Sequence, residues 1–195
     1  NSAEEKNPTF SPDGNMIAFT RDANLFAIDL NTGKETQFTT DGGEVVYNGW
    51  AAWVYYEEIF GRPSRYKAYW WSPTSKHIAF YRFDETNVPM FPIYNSKGQH
   101  GNLERTRYPK AGDPNASVRL GVVSAETGVQ AWLPLSLQES DYLPRIQWTP
   151  NSDDLLVQKL NRVQNEMTLY RVNTGQRTFQ SLMTETSATW VDITD

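Results

Sequence analysis

The chain contains no cysteine. Disulfides, thiolate metal sites and a cysteine nucleophile are therefore excluded. Histidine is almost as scarce: His77 and His100 are the only two, which bounds where a catalytic triad could be built. No run of about 18 apolar residues occurs, so nothing reads as a membrane-spanning helix. The opening Asn1-Ser2-Ala3 lacks both a leading Met and a signal-peptide pattern, and the chain reads as an excerpt of a longer protein. Positive charge is in deficit, with 18 Lys and Arg against 23 Asp and Glu, a net charge of −5 over 195 residues. A nucleic-acid partner needs a basic face to meet phosphates, so none is expected. What is plentiful is aromatic: 13% of residues, with 12 Gly and 11 Pro, a composition that leans toward many short strands and turns.

The chain repeats itself. Phe10-Ser11-Pro12-Asp13-Gly14 precedes Met16-Ile17-Ala18-Phe19. Trp71-Ser72-Pro73-Thr74-Ser75 precedes His77-Ile78-Ala79-Phe80, and Trp148-Thr149-Pro150-Asn151-Ser152 precedes Leu155-Leu156-Val157. Each segment is an aromatic, a hydroxyl residue, Pro, two turn formers and then an apolar strand. Pro presets φ in the turn, and Asp, Asn or Gly tolerates the backbone angles of the next turn positions. Each unit continues into a third strand that ends at Thr32-Gly33, Thr127-Gly128 or Thr174-Gly175, and then a fourth. Four strands per repeated unit is the signature of β-propeller blades. A two-sheet sandwich has no need of the same turn chemistry three times. The expected fold is all-β: a propeller fragment of about three four-stranded blades, roughly 7–40, 69–135 and 144–183, with Thr189-Trp190-Val191 starting a fourth. Closed propellers have about four to eight blades, so three imply a partial propeller.

From the repeat's hydroxyl residue to the Thr of the later turn the spacings are 21, 55 and 25 residues, so the middle unit carries extra chain. The two stretches outside the pattern are 41–68 and 84–116. Loops of such length in a compact domain are usually functional or disordered, and the first is too aromatic to be a floppy linker. Within it lies Trp53-Val54-Tyr55-Tyr56-Glu57-Glu58-Ile59-Phe60. Trp53, Tyr56 and Phe60 stand at i, i+3 and i+7, one face of a short helix. A helical turn can aim both Glu57 and Glu58 toward one cavity, whereas a strand would split them between faces. Two close carboxylates repel until a cation arrives, and a protonated amine has three donors with which to bridge them. The plainer reading is two solvated surface charges.

The segment Asn48-Gly49-Trp50-Ala51-Ala52-Trp53-Val54-Tyr55-Tyr56-Glu57-Glu58-Ile59-Phe60 resembles the glutamate motif of the dipeptidyl peptidase IV family, serine peptidases of the prolyl oligopeptidase type. Four further motifs match in the same order. They are Trp70-Trp71-Ser72-Pro73; Phe83-Asp84-Glu85 with Val88-Pro89; Tyr108-Pro109-Lys110-Ala111-Gly112 with Asn115; and Asn161-Arg162-Val163-Gln164-Asn165. The resemblance, in the manner of the family's bacterial members, covers nearly the whole chain. It implies a propeller followed in the parent by an α/β-hydrolase domain, which this chain lacks. By motif position it assigns Glu57 and Glu58 to the free N-terminal amine of a peptide substrate, and Ile59 to the lining of the neighbouring pocket. It implies release of dipeptides with Pro or Ala second, no cofactor and no metal, a homodimer of the parent, and export to the periplasm or the cell exterior. Three departures stand out: Ala52 where the family usually has Asp, Tyr56 where it commonly has a third Glu, and a longer segment from Gly61 to Tyr69. A non-catalytic propeller serving as a protein-interaction platform is the rival reading, with the glutamates as surface charge.

No Gly-x-Ser-x-Gly nucleophile elbow occurs. His77 falls in the strand after a Ser-Pro turn, a blade position, and His100 falls in the polar stretch 96–102, a loop tip. Tyr108-Pro109-Lys110-Ala111-Gly112 reads as a rigid turn, and Asn161 to Asn165 as a hairpin whose polar side chains bond nearby backbone. No catalytic residue is assigned within the chain. The purified chain alone is therefore expected not to hydrolyse a Pro-containing chromogenic dipeptide substrate. Turnover that tracks its concentration and survives repurification would overturn this.

Overall fold

The computed structural model describes residues 3–135, 137, 141–150 and 153–194. Strands β1 (Lys6–Phe10), β2 (Met16–Arg21), β3 (Asn24–Asp29) and β4 (Glu35–Gln37) form the first antiparallel sheet, in chain order. In the second, β6 (Tyr69–Trp71), β7 (His77–Asp84), β10 (Ser117–Ser124) and β11 (Gln130–Trp132) follow the same meander. The third holds β12 (Ile146–Trp148), β13 (Asp154–Leu160), β14 (Glu166–Asn173) and β15 (Thr178–Thr186), again in order. Each sheet is one blade. Thr189-Trp190-Val191 forms no strand: Val191 is buried and its N–H donates to the Gln164 carbonyl at 2.7 Å, so this segment lies against the third blade.

The repeated turns close by one device. The backbone N–H of the hydroxyl residue donates to the carbonyl five positions on: Ser11 to Met16 at 2.9 Å, Ser72 to His77 at 2.8 Å and Thr149 to Asp154 at 2.9 Å. In the first two turns the hydroxyl oxygen also accepts the returning N–H, Met16 at 2.9 Å and His77 at 3.1 Å. Gly14 and Ser75 occupy equivalent turn positions, both with positive φ (75° and 61°), a conformation Gly reaches without strain. Asn151 and Ser152 of the third turn lie outside the described residues.

The second blade departs from the simple meander. Strand β5 (Val46–Asn48), drawn from the stretch read as the first insertion, pairs with Asp84 to Arg82 on the edge of β7. On the same edge, β6 pairs with Phe80 to Ile78. The long β7 thus carries two short strands end to end, and the chain between them leaves the sheet. The second insertion contains a separate hairpin, β8 (Met90–Asn95) with β9 (Asn102–Arg107), whose tip holds His100.

Blades are joined by two apolar cores. One unites the first and second through Ala18, Leu25, Ala27, Ile78, Phe80 and Val123. The other unites the second and third through Tyr81, Phe83, Leu120, Leu155 and Val157, and takes in Tyr55 and Ile59 of the first insertion. The repeat's tryptophans add a recurring polar tie. The Trp71 indole donates to the Thr9 carbonyl at 3.1 Å, and the Trp148 indole to the Trp70 carbonyl at 3.0 Å. In each case the acceptor is the residue before the aromatic of the preceding repeat. Trp71→Phe and Trp148→Phe should each lower stability by about 1–3 kcal/mol, because a carbonyl loses its donor and ring volume is lost. Thermal unfolding of the full-length protein measures this, and unchanged midpoints in both variants would dissolve the proposed tie.

Candidate functional site

The site is carried by residues 49–68, extruded between β5 and β6. Its neck is closed by hydrogen bonds from Ala68 N–H to Gly49 C=O at 3.0 Å and from Ala51 N–H to Tyr66 C=O at 2.8 Å. Both sides of the neck bond to one residue of β7: Gly49 N–H donates to the Tyr81 carbonyl and Tyr81 N–H to the Ala68 carbonyl, each at 2.9 Å. Gly49 has φ +71°, and an added Cβ would lie 3.2 Å from the Thr20 methyl, so this exit needs Gly. Below the neck, the Asp41 carboxylate accepts from Asn48 Nδ2 at 2.8 Å and from Arg82 Nε at 2.7 Å.

The glutamates sit in a single π-turn, Tyr55–Ile59, closed by Phe60 N–H to Tyr55 C=O at 2.7 Å. Such turns recur at functional sites. The expected face of Trp53, Tyr56 and Phe60 is corrected: Phe60 packs on the core against Tyr55, Trp70 and Tyr81, Trp53 and Tyr56 lie outside it, and the buried residues of the turn are Tyr55 and Ile59. The reason is that the turn is held at both ends from the third blade. The backbone of Leu143 is bracketed by two phenols, its N–H donating to the Tyr55 hydroxyl and its carbonyl accepting from the Tyr81 hydroxyl, both at 2.8 Å. Arg145 Nη1 donates to the Ile59 carbonyl at 2.8 Å. Burial pushes the Tyr55 and Tyr81 phenols above their ordinary value, so both stay neutral donor–acceptors.

The remaining aromatics make a ladder across the outside of the turn. Trp50 stacks on Tyr66 at 4.8 Å, and Tyr66 on Tyr56 at 3.7 Å. Trp53 meets Tyr56 edge-on at 6.3 Å and Tyr108 at 6.0 Å. Tyr56, one of the three departures noted in the sequence, therefore serves as a rung of this ladder. Burial raises the Tyr66 phenol to about 12.

The two glutamates have different surroundings. Glu57 Oε2 accepts from Arg62 Nε at 2.7 Å, and its side chain is only 14% exposed. Glu58 is exposed and makes no hydrogen bond or ion pair among the described residues. Glu58 and Ile59 line a cavity of about 320 Å³, together with Lys110, Asn115, Tyr142 and Arg162. Glu57 is not part of that lining. Arg162 Nη1 donates to the Tyr142 hydroxyl, which also accepts from Asn115 Nδ2 at 2.9 Å. Two motifs read from sequence as turns, 108–112 with Asn115 and 161–165, thus converge on the wall beside Glu58. They do form turns: Asp113 N–H donates to Lys110 C=O at 2.9 Å, and Asn161 Oδ1 accepts from Asn165 N–H at 3.0 Å. Sequence reasoning gave no part to Arg62, Tyr142 or Arg162. The order of the motifs was the signal available for Arg162, since motifs far apart in the chain were candidates to meet. Behind the turn, the buried Glu85 lines a small cleft with Ala52, Trp53 and Tyr55.

Three blades, with a glutamate-bearing turn extruded between two strands on one edge of the second, define the class: a segment of a β-propeller. The whole chain, residues 1–195, matches the family model described as the dipeptidyl peptidase IV (DPP IV) N-terminal region, and the chain belongs to that family. It is 31% identical over 202 residues to a probable dipeptidyl-aminopeptidase B of Phaeosphaeria nodorum, covering 96% of this chain and 22% of that protein. It is likewise 31% identical over 194 residues to dipeptidyl aminopeptidase B of Saccharomyces cerevisiae, covering 95% of this chain and 23% of that protein. The crystal structure of Porphyromonas gingivalis dipeptidyl peptidase 4 superposes with a TM-score of 0.90 at 33% identity, covering 98% of this chain and 27% of that one. The chain thus spans less than a quarter of the length of these two curated relatives.

Glu85 gives the site a pH signature. Burial raises its carboxyl above the ordinary value, while Tyr47 and Arg107 beside it act in the opposite direction. A carboxyl whose folded-state pKa exceeds its unfolded value binds protons more readily when folded, so stability falls as pH rises through that interval and stays lower above it. Glu85→Gln is neutral at every pH and lacks this penalty. Relative to wild type, the variant should be more stable at about pH 7.5 than at about pH 4.5, read as the difference in thermal midpoints. A difference that does not change with pH would show that Glu85 carries no such penalty.

Proposed function

We propose that this chain is the substrate-recognition part of the propeller of a serine-type dipeptidyl peptidase, in which Glu57 and Glu58 hold the N-terminal ammonium of a peptide. The observation that carries this reading is the pairing of a rigidly supported turn with an unpartnered carboxylate, Glu58, beside a cavity. An ammonium offers three donors, and charge-assisted bonds to carboxylates are short and strong. Holding the amine fixes the distance along the peptide at which the chain is cut, so dipeptides are released, with Pro or Ala as the second residue. Ile59, with Val54, Leu160 and Ile193, supplies an apolar floor for the side chain of the first residue. The nucleophile, its histidine and its acid belong to an α/β-hydrolase domain of the same parent chain. The names of the relatives, dipeptidyl aminopeptidase and dipeptidyl peptidase, support this reading.

The parent's place in the periplasm or outside the cell is part of the same proposal. Among the described residues no helix is long and apolar enough to cross a membrane. A second reading, a propeller interaction platform without catalysis, draws on the β8–β9 hairpin, where Met90, Ile93, Tyr94 and Leu103 are exposed. The same hairpin is a candidate contact in a homodimer of the parent. A Gly-x-Ser-x-Gly domain downstream in the gene favours the peptidase, and its absence favours the platform.

In the full-length protein, Glu57→Gln and Glu58→Gln should each reduce kcat/KM on free-amine dipeptide substrates by about 10- to 100-fold, the equivalent of one charged hydrogen bond. Substrates with a blocked amine should already be poor and should hardly change. Thermal unfolding should move little. Wild-type kcat/KM in both variants would end the amine-anchor assignment.

A further inference from the structure

Arg62 stands at the glutamate pair with no part assigned to it. Its Nε lies 2.7 Å from Glu57 Oε2, and its side chain is 75% exposed while that of Glu57 is 14% exposed. With the Arg62 side of the pair in solvent, it contributes little to folding, so stability alone gives weak reason for it. Its placement is nevertheless specific. Gly61 turns the chain back with φ +77°, and residues Arg62–Ser64 make a 3-10 turn that contains Pro63 and is closed by Arg65 N–H to Arg62 C=O at 3.0 Å. Tyr66, four positions on, lays its ring on Tyr56 at 3.7 Å. Consecutive residues of the π-turn, Tyr56 and Glu57, are thus each engaged by the returning loop, and Glu58, next in line, is left free.

The charges then count simply. Two bare carboxylates on consecutive residues present a charge of −2, which suits a divalent cation such as calcium, whose ligands are carboxylate and carbonyl oxygens. With the guanidinium on Glu57 the trio carries −1, and a single ammonium neutralises it. Lys110 and Arg162 line the same cavity as Glu58 but form no ion pair with it among the described residues, so the local count is that of the trio. Granted the amine-anchor role of Glu57 and Glu58, on which this rests, we propose that Arg62 is a specificity-determining positioning residue: it fixes the Glu57 carboxylate and sets the pair to accept one monovalent ammonium while rejecting divalent cations. The ligand class is a primary or secondary amine carrying one positive charge at the binding point.

The test uses the full-length protein, a free-amine dipeptide substrate and calcium chloride, with sodium chloride at matched ionic strength as control. Weak carboxylate sites bind calcium at about 10⁻⁴–10⁻³ M, so about 5 mM calcium should raise KM about 6- to 50-fold in Arg62→Gln with kcat unchanged, reversibly on chelation. Wild type and Arg62→Lys, which keeps the charge, should be unaffected. Arg62→Ala serves as a second neutral variant, and thermal unfolding shows which variants are folded. Calcium-insensitive Arg62→Gln and Arg62→Ala, or a wild type as sensitive as they are, overturns the proposal. Glu57→Gln and Glu58→Gln, assayed in parallel, separate the two levels. If they lose activity while the Arg62 variants ignore calcium, only the role of Arg62 fails. If they keep wild-type kcat/KM, the amine anchor fails and this role with it.

Discussion

The site depends on the backbone of one residue, Tyr81. Its N–H and C=O bond the two ends of the extruded loop at Ala68 and Gly49, and its hydroxyl donates to Leu143 in the next blade. A fully buried tyrosine thus fixes the loop's neck from the sheet side and the loop's support from the blade side. Because β7 is long enough to pair with β5 and β6 on one edge, the loop leaves the sheet without interrupting the ladder on either side. The geometry of Glu57 and Glu58 is therefore inherited from a rigid sheet, and the role proposed for them depends on that.

The blade-to-blade ties follow from the repeat. An aromatic before the Ser-Pro turn is a hydrophobic residue with a polar handle, and where it is Trp the handle reaches back to the preceding blade. The turns themselves also touch across blades: Asp13 N–H donates to Ser75 Oγ at 3.0 Å, and Thr74 Oγ1 to Asp153 Oδ1 at 2.8 Å. One short motif thus forms a hairpin, closes it and links it to its neighbours. Repetition of that motif turns a local preference into an architecture.

This also explains what could be read in advance. The turns were legible because Ser, Thr and Pro act on backbone within a few residues of themselves. The position of Glu57 and Glu58 on a helical turn was legible from aromatic spacing, but which residues faced inward was not. Tyr55 and Ile59 face the core because Leu143 and Arg145, more than 80 residues away, hold them there, and no local period records that. Strand β5 was invisible for a related reason: Val46-Tyr47-Asn48 is too short to show alternation, and its pairing with Arg82 to Asp84 is non-local. The pairing of Arg62 with Glu57 was within reach, five residues apart, but required knowing that Gly61 turns the chain back.

The bracketing of Leu143 by Tyr55 and Tyr81 has a consequence in time. The glutamate turn is synthesised well before the strand entry that holds it, 88 residues separating Tyr55 from Leu143. At about 5–20 residues per second, translation takes about 4–18 s to cover that interval. Throughout it the nascent turn has the aromatic rungs of its own loop but no partner for the Tyr55 hydroxyl. The glutamate loop is thus completed from downstream: the third blade, as it emerges and docks, sets the final position of residues that were synthesised long before.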